Sequence, residues 1–354
     1  MLGLAKFSQG TGGIEPYTTP LVIALSNGGF NTMDYFAADI SNPSAMNEEH
    51  SVRINNSGTY PDPQCVVYDP LTHHLIAAGA NYIYSINCRV PTRIGLVSSI
   101  TGPGNPTSMK IDTSNSIVYI VDDASNTLRS YDVSDPTDIV LLDSISTGGG
   151  VDQTMAIDFS RDLAYVVGTA QFDNFCIVDI SDPENLSVSS NTTVSYGSGI
   201  AFNGNYVYIK TGGSGIDLVI ANTSNPAAPT LTYWNGATPW PGTLIDGYGS
   251  LLVNNSRLYM VGRLGGNSGP LTVFSLSNPT NPVITHSTPT GITVGAGGYE
   301  LNLYNNVFYC WDNNSDKLVA IDISSPDAPF LASSLTLDSN PYNGNTVTIR
   351  TPDV

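Results

Sequence analysis

The chain has 354 residues, 41% of them hydrophobic and only 12% charged, and carries a formal net charge of −18. That excess of acid excludes nucleic acid and anionic membrane surfaces as partners, because both repel it. No run approaches the roughly 18–20 apolar residues of a helical membrane span, and no membrane insertion is expected. Gly (34) and Pro (23) are plentiful and Lys occurs four times, a composition expected of many turns joining β-rich runs.

In chain order, residues 1–16 (MLGLAKFSQGTGGIEP) read as an N-terminal arm, and residues 17–354 as a single domain. The arm lacks the basic n-region, apolar h-region and small-residue cleavage site of a secretory signal. Its tip carries Leu2, Leu4 and Phe7. These are expected to lie on a neighbouring subunit as an assembly contact, the rival being an arm folded back over its own domain.

From there the chain writes one corner seven times: AADISNPSA, YSINCRVPT, SYDVSDPTD, IVDISDPEN, IANTSNPAA, VFSLSNPTN and AIDISSPDA. The corner prolines are Pro43, Pro91, Pro136, Pro183, Pro226, Pro279 and Pro326, about 47 residues apart on average. Four residues before each stands Asp39, Asn87, Asp132, Asp179, Asn222, Ser275 or Asp322. A short polar side chain at a strand end accepts hydrogen bonds from backbone N–H groups just ahead. Proline then fixes φ and cannot donate to a ladder, so the strand stops. Seven carboxylates forming an ion site are excluded, because three of the seven are Asn or Ser.

Each period holds four β-like runs; in the third they are TSMKID, SIVYIVD, TLRSYDVS and DIVLLDSIS. Four strands per period of this length describe a propeller blade. The expected fold is therefore all-β: a seven-bladed β-propeller of four-stranded antiparallel blades. The first copy lacks a good first strand, whereas the chain ends in NGNTVTIR, which has the shape of one. Residues 345–350 should pair into blade 1 and close the ring, hiding two free sheet edges. Cys65, Cys88, Cys176 and Cys310 show no metal-ligand spacing and sit in apolar runs, so they read as small buried hydrophobes.

Three stretches, CIVDISDPENLSV, LVIANTSNPAAPTL and LVAIDISSPDAPFL, resemble LVIVD repeats, a β-propeller family of bacterial, archaeal and surface proteins. The resemblance runs through all seven corners, with departures at NCRVP in copy 2 and Ser275 in copy 6. It implies a propeller scaffold and supplies no catalytic residues.

No catalytic residue, metal ligand or cofactor site is expected, since no nucleophile, zinc or nucleotide motif stands in a proper context. Asp152, Asp246 and Glu300 are the carboxylates able to converge on the axis. Asp312, Asn314 and Asp316 mimic the first half of a calcium loop that lacks its Gly and Glu. The adjacent His73 and His74 read as surface residues. The longest corner spacing, 53 residues, contains YWNGATPWPGTLIDGYGS, whose Tyr233, Trp234, Trp240 and Tyr248 offer a recognition loop for a glycan or a protein partner. The alternative is a loop that seals the blade interface with its own aromatics.

Two functional classes follow. One is a non-catalytic interaction protein binding other proteins as assembly neighbours, foremost a virion structural protein, otherwise a bacterial or archaeal extracellular or cell-surface protein. The other is a propeller hydrolase or lactonase using the central pocket.

Overall fold

In the computed structural model, the described residues are 18–27, 32–55, 63–79, 81–90, 93–148, 150, 152–168, 174–211, 218–234, 250–264, 267–289, 301–312, 317–336 and 346–351. They form seven sheets of four antiparallel strands each. The innermost strands are Thr346–Arg350, Cys65–Asp69, Pro106–Asp112, Thr154–Asp158, Gly197–Asn203, Ser250–Asn254 and Asn302–Tyr304, one for each of blades 1 to 7. Neighbouring blades meet along these strands, which surround the axis.

Ring closure follows the expectation. Strand Thr346–Arg350 pairs antiparallel with Leu21–Asn27, bringing Leu21 opposite Arg350 and Leu25 opposite Thr346. The last strand of the chain thus completes its first blade.

The short apolar runs are buried on both faces. In strand Ile117–Asp122 of blade 3, Ile117, Tyr119 and Val121 join the cluster shared with blade 4. Val118 and Ile120 join the one shared with blade 2. Alternation of side chains across a strand makes every blade a two-sided wedge. The core is accordingly seven apolar layers, one at each blade junction, including the junction of blade 7 with blade 1.

All seven corners are built as the sequence implies. The residue four before each proline accepts a hydrogen bond from the backbone N–H two residues on, at distances of 2.7 Å (Ser41 N to Asp39) to 3.4 Å (Ser277 N to Ser275). Five corners add a second turn of the same kind on the residue just before the proline, at Asn42, Asp135, Asp182, Asn225 and Asn278.

The corner also docks blade to blade. Ser98 Oγ of blade 2 donates to the Pro136 carbonyl of blade 3 at 2.6 Å. Ser130 Oγ does the same to Pro183 of blade 4 at 2.5 Å, and Ser333 Oγ of blade 7 to Pro43 of blade 1 at 2.6 Å. Asp143 of blade 3 accepts the Leu186 N–H of blade 4 at 2.7 Å. Ser98, Asp143 and Ser333 each follow a β-bulge in the outermost strand of their blade. Six of the seven outermost strands carry such a bulge, Thr230–Trp234 of blade 5 being the regular one. A bulge re-aims a side chain and bends an edge away from pairing with another chain.

One expectation is corrected. His74 is not a surface residue: it opens strand His74–Gly79, is 9% exposed, and donates from Nδ1 to the Thr72 carbonyl at 2.7 Å. His73 takes a left-handed φ of 57° in the preceding turn, with its Nδ1 3.0 Å from Tyr68 Oη. The four cysteines are buried and joined in no disulfide, as read from their apolar surroundings. Burial pushes the Cys176 thiol up to about 12.

Candidate functional site: the axial cavity

The innermost strands of blades 3 to 6, with Leu301 of blade 7, enclose a cavity of about 270 Å³. That is near the small end of the roughly 300–1,000 Å³ range of ligand sites. Its wall mixes apolar groups (Met155, Ile157, Ile200, Phe202, Leu251, Val253) with the hydroxyls of Thr154, Ser198 and Ser250 and the side chain of Lys110. Apolar walls with a few convergent polar groups are the usual make-up of a small-molecule site.

Ser198 owes its place to an irregularity. The ladder between strands Gly197–Asn203 and Tyr206–Thr211 pairs Gly197 with Thr211 and Gly199 with Lys210, leaving Ser198 as the extra residue of a bulge. A residue with a Cβ could not replace Gly197, because that atom would sit 2.0 Å from Val167 Cγ2. The serine is 6% exposed and receives a hydrogen bond from Lys210 Nζ at 3.4 Å, and the lysine itself is 1% exposed. A buried ammonium beside a buried hydroxyl on a cavity wall is costly to maintain by burial alone.

A second polar group lies within blade 3. Asp122 accepts hydrogen bonds from Asn105 N at 3.0 Å, Ser125 Oγ at 2.7 Å and Arg129 Nη2 at 2.7 Å. Burial alone would raise its carboxyl, but these donors and the Arg129 charge outweigh it and hold the group below the usual range. Next to it, burial and the nearby Asp152 charge raise Asp123 despite its own hydrogen bonds. These contacts tie the loop entering blade 3 to its second strand, and the group is structural.

Of the residues singled out in the sequence, Asp152 is exposed, with φ 51°, and is not on the cavity wall. Trp234 is partly buried: its ring packs edge-on against Phe274 with centroids 5.6 Å apart, and its Nε1 donates to the Pro282 carbonyl of blade 6 at 3.0 Å. It therefore seals the junction of blades 5 and 6. Tyr233 is 48% exposed on the rim. Trp240, Tyr248, Asp246, Glu300, Asn314 and Asp316, the side chain of Asp312, and Leu2, Leu4 and Phe7 of the arm lie outside the described residues. Among the described residues, no group of three or more His, Cys, Asp or Glu side chains is placed to hold a metal ion.

The fold and cavity define the class: a seven-bladed propeller of four-stranded blades with a small, mixed-polarity pocket at its axis. Within that class, the LVIVD repeat family model matches residues 34–53, 153–194 and 196–233, so this β-propeller carries LVIVD repeats over those stretches. No curated protein matches the chain in sequence. Solved structures match the fold at low identity. A functionally unknown protein from Desulfotomaculum acetoxidans is 13% identical with a TM-score of 0.70, over 94% of this chain and 99% of that one. The periplasmic gluconolactonase of Pseudomonas aeruginosa is 11% identical with a TM-score of 0.65, over 93% and 99%. A Bacteroides uniformis protein provisionally labelled a 6-phosphogluconolactonase is 10% identical with a TM-score of 0.66, over 93% and 100%.

These comparisons correct the expectation of a virion structural protein. Lactonases stand among the fold's solved neighbours, which puts the propeller lactonase alternative ahead of it. The corner repeats are scaffold, and carry no information about what the axis holds.

Proposed function

We propose that the axial cavity binds a small polyhydroxylated cyclic ester and hydrolyses it to the open-chain hydroxy acid. The observation that carries this reading is the cavity wall itself, where the hydroxyls of Ser198, Thr154 and Ser250, with the Lys210 amine behind Ser198, interrupt an otherwise apolar pocket. The likeness of fold to a gluconolactonase supports it. In the reaction, water adds to the lactone carbonyl, the ring C–O bond breaks, and the proton lost by the water goes to the departing ring oxygen. The Lys210–Ser198 pair supplies a fixed positive field and a hydroxyl donor for the oxyanion that develops on the carbonyl oxygen. Such donors act strongly in a site that excludes water.

The test is acid release measured at constant pH with a panel of five- and six-membered aldonolactones. Wild-type protein should exceed the spontaneous rate, and Ser198→Ala should fall by about 100-fold, the loss typical of one oxyanion donor. A correctly folded wild-type protein that leaves every lactone at its spontaneous rate would overturn the reading.

A further inference from the structure

The axial cavity is polar at one end and apolar at the other. Every blade repeats the same strand order from axis to rim, so the innermost strands run the same way along the axis. Where they begin, the wall is hydroxylated: Thr154 and Ser250 open strands Thr154–Asp158 and Ser250–Asn254, and Ser198 is the second residue of Gly197–Asn203. Where they end, the wall is apolar: Ile157, Phe202 and Val253 each stand one residue before the last of the strand. At about 3.3 Å of rise per residue, the run from Thr154 to Ile157 sets the two ends roughly 10 Å apart.

Burial runs against this polarity. Ser198 and Ser250 are buried, whereas Phe202 and Val253 are only partly buried. Solvation alone would arrange them the other way, with hydroxyls toward water and apolar groups away from it. The apolar end is also continuous around the axis. The flanking blades 3 and 7 place the partly buried Ile111 and Leu303 at the same position, and blades 1 and 2 place Ile349 and Tyr68 there. No blade puts a charge at this level. Lys110, the charged side chain among the described residues of the wall, sits nearer the middle and is engaged with other groups of the protein. A ligand that fills the cavity therefore meets hydroxyls at one end and a partly exposed apolar surface at the other.

We infer that the axial cavity takes an amphipathic ligand, a hydroxylated ring seated at the Ser198 end with a short alkyl substituent lying against Phe202 and Val253. The inference deepens the lactonase reading by giving the lactone an apolar substituent. Only the lactone head rests on that reading; the alkyl subsite stands on the cavity alone.

Calorimetric titration with alkyl glucosides tests it, because these hydroxylated rings contain no lactone to turn over. Methyl, butyl and hexyl β-glucopyranoside are titrated, below their micelle-forming concentrations, into wild-type protein, Val253→Thr, Phe202→Ala and Ser198→Ala. Affinity should rise about fourfold per methylene, the factor for full burial of one CH2, until the chain passes beyond Phe202. The heat capacity of binding should become more negative with chain length. Val253→Thr keeps the shape of the side chain but adds a hydroxyl to the subsite. It should cut the hexyl-to-methyl affinity ratio at least about fivefold while leaving methyl glucoside nearly unchanged. Phe202→Ala should cut the ratio too, but Phe202 also packs 6.1 Å from the Tyr165 ring, so Val253→Thr is the decisive variant. Ser198→Ala should weaken all three glucosides by a similar factor, since the ring end is common to them. Equal affinity for the three glucosides, or no binding of hexyl glucoside at millimolar concentration, would overturn the inference. So would a chain-length gain that survives unchanged in Val253→Thr and Phe202→Ala with native melting temperatures, or one lost in Ser198→Ala alone. A chain-length gain without turnover of any lactone would remove the lactonase reading and leave this inference standing. Turnover of unsubstituted aldonolactones with no chain-length gain would do the reverse.

Discussion

Arg350 is the last residue of the strand that closes the ring, and replacing it with Met tests how much that closure depends on one side chain. The guanidinium is 0% exposed. It donates to the Cys88 carbonyl at 2.7 Å and to the Arg89 carbonyl at 3.3 Å, and lies over the Tyr68 ring with 5.9 Å from Cζ to the centroid. All three partners belong to blade 2, so the residue ties the seam in blade 1 to its neighbour. Water cannot reach the site to replace the lost donors. Two hydrogen bonds from a charged donor contribute about 1.5–3 kcal/mol each, so Arg350→Met should cost roughly 3–6 kcal/mol. Unfolding entropy for a chain of this length is about 0.7 kcal/mol/K, which converts the loss to a melting temperature lower by roughly 4–8 °C. Arg350→Lys keeps the charge but not the fork, reaches one carbonyl, and should lose about half as much. Scanning calorimetry of the three proteins measures this directly. A Met variant melting within about 1 °C of wild type would refute the claim that this contact holds the closure.

Three further outcomes are expected. Ser333→Ala should cost about 1 kcal/mol, through loss of its hydrogen bond to the Pro43 carbonyl, whereas an exposed serine such as Ser324 mutated to Ala at its side chain should be neutral by denaturant titration. The Asp122 carboxyl is held below its ordinary value, so its stabilisation is present above about pH 4 and is lost as pH falls through the depressed folded value. Asp122→Asn should therefore lower the melting temperature at pH 7 and show a shallower loss between pH 4 and pH 2; parallel acid limbs would count against it. With Cys176 buried and its thiol pushed up to about 12, and the other three cysteines buried too, an aromatic disulfide reagent at pH 8 should label none of the four in the native protein and all of them in denaturant.

The repeat was legible because its chemistry is local. A corner needs one acceptor such as Asp132 and one proline such as Pro136, both within five residues, so a single copy can be recognised by itself. Closure was legible too, because a strand missing at one end and a surplus one at the other have one simple solution. The edge bulges were not, since a bulge is a relation between two strands and Leu142, the residue left without a ladder partner in blade 3, is apolar like Val140 and Leu141 before it. The cavity was hidden for a related reason. Its polar groups arrive singly from separate blades: Lys110 stands inside the run TSMKID, and Ser198 inside YGSGI. Scarcity was the one signal available: a chain with four lysines places two of them within apolar strands. His74 was misread because two adjacent histidines suggest a solvated turn, whereas the strand begins at the second. Trp234 stands at the end of a strand, close enough to Phe274 to become part of the wall between blades 5 and 6.

The pairing of Thr346–Arg350 with Leu21–Asn27 also has a consequence in time. A ribosome makes Leu21 some 325 residues before it makes Thr346, which at 5–20 residues per second is roughly 15–65 s. Throughout that interval the nascent first blade has no inner strand, and the faces of Val22 and Ala24 that will meet Tyr309 and Trp311 have nothing to cover them. Blades 2 to 6 can stack in order of synthesis, each arriving against a finished neighbour, but the first must wait for the last. The most exposed moment in the protein's life is therefore before release, and a holding chaperone would be expected to act on the N-terminal blade.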